Sequence, residues 1–161
     1  MARPLRIEFP DAVYHVSNYS LDNQRVFPSA KYYDAFLEGL GETCSRLNVE
    51  VHAFCLLRDQ YHLVVKTPEA NLSRFMRQID GLYTQQYQRM KRSEGSLFRG
   101  RYKAVLVQPE KYLLPLSRYI HSKVKTSDLN HYPYSSYTHF TRKAQPASWF
   151  NRNDTLKQLR V

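Results

Sequence analysis

Residues 49–66 read Val49-Glu50-Val51-His52-Ala53-Phe54-Cys55-Leu56-Leu57-Arg58-Asp59-Gln60-Tyr61-His62-Leu63-Val64-Val65-Lys66. The runs Val49–Leu57 and Tyr61–Lys66 are rich in β-branched and aromatic side chains, and the short polar turn Arg58-Asp59-Gln60 joins them. That pattern is a β-hairpin signature. Pro68 stops the second strand. A strand alternates its faces with period two, so Gln60 and His62 share one face and Tyr61 points to the other.

Outward from the hairpin, the same reading fills in both sides. Val13–Tyr19 starts with alternating apolar and polar residues and predicts a half-buried strand. Ser29 opens a helix through Asn48, because Tyr33, Phe36, Leu37, Leu40, Cys44 and Leu47 recur at helical spacing. Downstream, Asn71 opens a second helix to about Arg92, with Leu72, Phe75, Met76, Ile79, Leu82 and Tyr83 on its buried face. Tyr102–Val107 predicts a strand, and Pro109-Glu110 opens a third helix through about Val124, with Pro115 allowing a later start or a kink. The order β-α-β-β-α-β-α predicts an α+β domain: an antiparallel sheet with helices on one face.

Length and composition agree with one such domain. The chain has 161 residues, and 42% of them are hydrophobic, too many for a disordered basic tail. Lys+Arg minus Asp+Glu is 24 − 14 = +10, which points to a polyanionic partner, nucleic acid first and an anionic membrane surface second. Cys44 and Cys55 lack CxxC spacing, so neither a disulfide framework nor a four-thiolate zinc site is expected, and a reducing cytoplasm is. No apolar run approaches the roughly 20 residues of a membrane span.

Between Arg74 and Lys103, the basic residues Arg74, Arg77, Arg89, Lys91, Arg92, Arg99, Arg101 and Lys103 face only Asp80 and Glu94, so this stretch holds +6 of the +10. Tyr83, Tyr87, Phe98 and Tyr102 are interleaved with them. Cations for phosphates and rings for unstacked bases are what single-stranded nucleic acid requires. A solvated helix face is the plainer alternative, but such a face normally mixes both signs.

Gln60 and His62 could hold one divalent ion between an imidazole nitrogen and a carboxamide oxygen. Tyr119 lies among Arg118, His121, Lys123 and Lys125, an electropositive setting that could lower a phenol pKa from about 10 and neutralise a nearby phosphate.

Four ordered stretches carry a resemblance: Met1-Ala2-Arg3-Pro4-Leu5-Arg6-Ile7-Glu8-Phe9-Pro10 with Val13-Tyr14-His15-Val16; Cys55 to Val64; Leu97-Phe98-Arg99-Gly100-Arg101-Tyr102-Lys103-Ala104; and Pro133-Tyr134-Ser135-Ser136-Tyr137. They resemble the IS200-type, single-tyrosine transposases, most closely the REP-associated tyrosine transposases. The resemblance covers residues 1–140 as one transposase domain. Residues 141–161 form a C-terminal tail similar to the start of a segment that longer relatives carry.

The resemblance implies a ferredoxin-like domain of the HUH nuclease class, usually dimeric. A cytoplasmic, nucleoid-associated location is expected, and no membrane partner, because no basic amphipathic helix has a broad apolar face free for lipid. It implies Mg²⁺ or Mn²⁺ on a central-strand histidine pair and a helix tyrosine that attacks single-stranded DNA, leaving a 5′-phosphotyrosine and a free 3′-hydroxyl. The second metal histidine falls on His62 and the nucleophile on Tyr119. Its DNA is a hairpin with flanking single strand, which the basic residues around Arg99–Lys103 would suit.

Two departures bear on activity. Gln60 stands where the family has its first metal histidine, so the ion is expected to be weakly held or absent. Lys123 stands one helical turn after Tyr119, where relatives supply an Asn or Gln ligand; a cation there is no ligand for Mg²⁺. His121 lies about 200° around a regular helix from Tyr119 and reaches an ion only if the helix ends there. Two functions therefore stand side by side: a metal-dependent tyrosine transposase or single-strand endonuclease, with Lys123 or Arg118 stabilising developing charge, and an inactive hairpin-binding regulatory module with the same fold. A ferredoxin-like RNA-binding domain is the structural rival, but Arg99-Gly100-Arg101-Tyr102 matches its motif only partially.

Overall fold

A computed structural model describes residues 7–125, 129–141 and 146–159; part of the quoted opening, residues 1–6, and parts of the tail lie outside the described residues. The elements in chain order are β1 (Ala12–Tyr19), α1 (Ala30–Leu47), β2 (Glu50–Leu57), β3 (Gln60–Thr67), α2 (Leu72–Lys91), β4 (Lys103–Val107), α3 (Pro109–His121), and the short α4 (Tyr137–Thr141) and α5 (Asn153–Leu156). The four strands form one sheet in the order β2-β3-β1-β4, with all neighbours antiparallel. This is the α+β, ferredoxin-like arrangement. The hairpin is tighter than the sequence suggested, because Leu57 already pairs with Gln60 across Arg58-Asp59.

Strand alternation sends one set of side chains to each face. Tyr14, Val16, Phe54, Leu56, Tyr61, Leu63 and Val65 enter the larger core with Phe36, Leu40 and Leu47 of α1 and Phe75, Met76 and Ile79 of α2. Truncating a fully enclosed ring such as Phe36 to Ala would cost about 3–5 kcal/mol. α1 and α2 thus lie on one face, as the order of elements predicts. The third helix is placed differently: Val13, Ala53, Cys55 and Val64 point to the other face and pack on Leu113, Ile120 and Val124, so α3 covers part of it.

Several details differ from the sequence reading. Tyr83, Tyr87 and Tyr102 are buried, so these rings are core rather than stacking platforms. Leu82 is exposed, because it lies off the stripe that Ile79, Tyr83 and Tyr87 continue. Ser29 and Asn71 occupy N-cap positions, but neither side chain caps its helix, and Asn71 Nδ2 instead donates to the Leu47 carbonyl. α3 starts at Pro109, continues through Pro115 and ends at His121 rather than at about Val124. Cys44 and Cys55 are free and buried, and burial pushes both thiols up to about 12.

The outer edge of β2 is not open. Leu56 N–H donates to Tyr134 O (2.8 Å) and Ser136 N–H to Phe54 O (2.9 Å), while Val51 N–H donates to Trp149 O (3.0 Å) and Asn151 N–H to Val51 O (2.8 Å). Covering an edge this way removes a template for unwanted pairing. Gly41 is required beneath the second segment, since a Cβ there would meet Trp149 Nε1 at 2.7 Å. No helix among the described residues is long and apolar enough to cross a membrane.

Candidate active site

β1 and β2 end, and β3 and β4 begin, at the same end of the sheet. α3 starts after β4 at the opposite end and runs back over the sheet, which brings its C-terminal turn to this end. The side chains on the α3 face there include His15 and Ser17 of β1 and Gln60 and His62 of β3, because Ser17 pairs with His62 and His15 with Val64.

Gln60 and His62 share one face, as period two requires. His62 Nε2 lies 2.6 Å from Gln60 Oε1, and His62 Nδ1 lies 3.1 Å from His15 Nε2. A carboxamide oxygen only accepts, so His62 carries its proton on Nε2 and accepts at Nδ1 from His15 Nε2–H. The two imidazoles stack with centroids 5.3 Å apart. Burial pushes His62 down to about 3, with His15 and Lys123 adding repulsion, and burial followed by Lys123 pushes His15 below the usual histidine range. Both rings are neutral at pH 7.

Tyr119 is 54% exposed, and its ring meets His15 edge-on at 6.4 Å between centroids. Lys123 Nζ lies 4.7 Å from the Tyr119 ring centre. Tyr19 packs edge-on against His62 at 6.1 Å, with Lys103 Nζ 5.6 Å above the Tyr19 ring. Gln60, His62, Tyr119, Lys123 and Lys103 therefore converge, and His15 and Tyr19 join them.

His121 does not join. The helix ends at it, yet its Nε2 lies 2.7 Å from Ser136 Oγ, whose oxygen also accepts from Phe54 N–H (2.9 Å). His121 is thus a buried anchor between α3 and β2, and it holds the turn that carries Tyr119 and Lys123.

The long basic stretch divides. α2 begins where β3 ends, far from Gln60, and its 20 residues span about 30 Å. Arg74 and Arg77 are exposed at the distant end, whereas Arg89, Lys91, Arg92, Arg99, Arg101 and Lys103 are exposed at the end that holds the site. Arg99 N–H donates to Tyr19 O, which ties the Arg99–Lys103 bank to β1. On the other side of Gln60, a cleft of about 1110 Å³ gathers Arg25, Arg58, Lys123 and Lys125.

The donor chemistry accommodates a divalent ion only weakly. Gln60 Oε1 and His62 Nε2 converge on one point and would be two of its ligands, with their mutual hydrogen bond opened and His62 shifted to its Nδ1–H tautomer. Both donors are neutral, and no group of three or more His, Cys, Asp or Glu residues suited to a metal occurs among the described residues.

Residues 9–123 match the family model described as "Transposase IS200 like". Among solved structures, that of a REP-associated tyrosine transposase bound to a REP hairpin superposes with a TM-score of 0.74 at 13% identity, covering 92% of this chain and 91% of that one. A candidate transposase from Deinococcus radiodurans R1 superposes with a TM-score of 0.51 at 17% identity, covering 76% of this chain and 98% of that one. Comparison with curated proteins found no match.

Proposed function

The chain belongs to the IS200-like transposase family, and from that premise we propose that it binds hairpin DNA and cleaves and rejoins a flanking single strand through Tyr119. The observation that carries the reading is the convergence of an exposed tyrosine, a histidine pair and Lys123 at one end of the sheet. In the first step the Tyr119 oxygen forms a bond to phosphorus as the bond from phosphorus to the 3′-oxygen breaks. The products are a 5′-phosphotyrosine and a 3′-hydroxyl, with net transfer of the phenol proton to the leaving oxygen.

Lys123 faces the region where negative charge develops and lowers its energy by proximity. His15 orients His62 as a positioning residue, holding the imidazole through its second nitrogen. When a divalent ion is bound by Gln60 and His62, it supplies polarisation of the scissile phosphate. The cations of the Arg99–Lys103 bank hold the DNA backbone, and the exposed apolar side chains of the β4 edge, Val105 and Leu106, support pairing into a homodimer.

A second reading has one observation in its favour: Lys123 stands one turn after the tyrosine, where a third metal ligand would have to be. On it the protein is a hairpin-binding regulator that no longer cuts. Incubation with a labelled single-stranded hairpin and Mn²⁺ separates the two. A covalent protein–DNA adduct that maps to Tyr119 and is lost in Tyr119→Phe, with binding retained, establishes cleavage. Tight binding without adduct leaves the regulator, and an adduct on another tyrosine removes the assignment.

A further inference from the structure

Asp80 of α2 reaches two strands at once. The residue is half-buried on its helix, but its carboxyl turns inward: the Tyr61 hydroxyl donates to Oδ1 (2.5 Å) and Asn18 Nδ2–H donates to Oδ2 (3.2 Å). Asn18 and Tyr61, both buried, are partners across β1 and β3, and the rungs on either side of them are Ser17 with His62 and Tyr19 with Gln60. One carboxylate thus clamps, from the helix side, the rung that lies between the two rungs of the active-site face. The same two residues carry the basic bank. Asn18 Nδ2–H also donates to Gly100 O (3.3 Å), Asn18 Oδ1 accepts from Tyr19 N–H (2.9 Å), and the Tyr61 ring meets Phe98 edge-on with centroids 5.7 Å apart. Residues 99–102 lie outside any strand, so Gly100, between the exposed side chains of Arg99 and Arg101, takes its position from Asn18.

We propose that Asp80 is a positioning residue for hairpin binding: it holds the Arg99–Lys103 bank in a fixed place relative to Tyr19, Gln60 and His62, so that DNA gripped by the bank meets the histidine pair at a set distance. The proposal rests on the hairpin-binding reading and adds to it a residue that touches no DNA. A carboxylate suits the task because each oxygen accepts separately, whereas a carboxamide of the same size accepts at one end only. Burial raises the carboxyl to about 6, against the opposing pull of its bonds from Tyr61 and Asn18. Ionised above that pH, it accepts from both donors; protonated below it, one oxygen becomes a donor and one arm of the clamp opens. The titratable groups that face it are Tyr61 from β3 and, behind Tyr61, Tyr102 from the segment before β4. β1 presents Asn18, and α1 presents Phe36 against Tyr61; neither titrates. On α2 itself Arg77 and Tyr83 stand one turn to either side, the first exposed and the second bonded to Val26 O.

The test measures binding of a fluorescent DNA hairpin to the full chain by anisotropy, with Asp80→Asn, with Arg99→Ala plus Arg101→Ala, and with all three changes together. Asp80→Asn should weaken binding by about 2- to 30-fold, the range for a residue coupled to a site it does not touch. In the background without the two arginines the same change should have almost no effect, because the bank it positions is gone. The ratio of wild-type to Asp80→Asn affinity should also shrink toward one by pH 5, since acid opens the clamp in wild type while charges elsewhere are common to both proteins and cancel. Should Asp80→Asn fail to fold, Asn18→Ala cuts the tie to Gly100 from the other side and must show the same loss and the same dependence on the bank. Unchanged binding in the folded variant, a loss that persists undiminished without the arginines, or a ratio independent of pH overturns the positioning role. Wild type that does not bind the hairpin overturns the hairpin reading itself.

Discussion

His121 offers a direct measure of how α3 is held over the sheet. Burial first, and the nearby His139 second, push its imidazole from 6.5 down to about 4. A histidine lowered in this way is bound by fewer protons in the folded chain than in the unfolded one. The stability it preserves is therefore complete above pH 6.5 and is lost progressively as pH falls toward 4. Linkage therefore removes almost none of it at pH 7 and about 2–3 kcal/mol by pH 4.5. Structurally, the imidazolium would lie enclosed by Tyr137 and Phe140, with Ser136 Oγ beside its Nε2.

The perturbation to use is His121→Gln, compared with wild type by urea unfolding at both pH values, read from the fluorescence of Trp149. The variant should be less stable at pH 7 by about 1–3 kcal/mol, because the buried imidazole loses its hydrogen bond to Ser136 and its packing on Tyr137 and Phe140. The gap should then close by about 2–3 kcal/mol at pH 4.5. His15, His52 and His62, all lowered, and Asp80, raised to about 6, titrate in both proteins and cancel in the difference. A gap that stays constant or widens on acidification would refute the burial argument for His121.

Gln60→His should raise Mn²⁺ affinity, because imidazole binds such ions better than a carboxamide on the same strand face as His62; equal calorimetric affinities would show that these two residues do not form a metal site. If Lys123 is the deeper lesion, that revertant should bind metal without gaining cleavage, and Gln60→His with Lys123→Asn should be needed for both. Arg99→Ala with Arg101→Ala should weaken hairpin binding across sequences, with affinity that falls steeply as salt rises; salt-independent binding would exclude phosphate contacts as its source. Sedimentation at micromolar concentration should show a homodimer, and a species of 19.1 kDa alone would remove that claim.

What the sequence disclosed follows from the range of the interactions involved. The hairpin is local: its period-two runs and its turn lie within 18 consecutive residues, and they place Gln60, Tyr61 and His62 on the correct faces. Tyr87 was misread as a ring for bases, and Tyr83, correctly placed on the buried helix face, was also counted among such rings, although the signal was present. They continue the stripe of Phe75, Met76 and Ile79 at helical spacing, and that periodicity outranks their proximity to arginines. His15 gave no local signal. It matters because β1 pairs with β3 in a register that sets His15 diagonally across from His62, and register is a property of two strands that lie far apart in the chain. Arg25, Arg58 and Lys125 were missed for the same reason, since no window of sequence sums charges that only the end of the sheet gathers.

The two departures from the family pattern, read as separate defects in the sequence, act on one quantity once they are placed in the fold. A carboxamide at position 60 weakens the hold on a divalent ion, while the ammonium of Lys123, beside Tyr119 and close enough to His15 and His62 to depress both, supplies a fixed positive charge to the same few ångströms. A backbone phosphate lying there loses part of the ion's attraction and gains that of the lysine. On the proposed function, affinity for DNA should survive the loss of metal more readily than cleavage, because binding needs only the charge whereas phosphoryl transfer also needs it aligned on the oxygens that change.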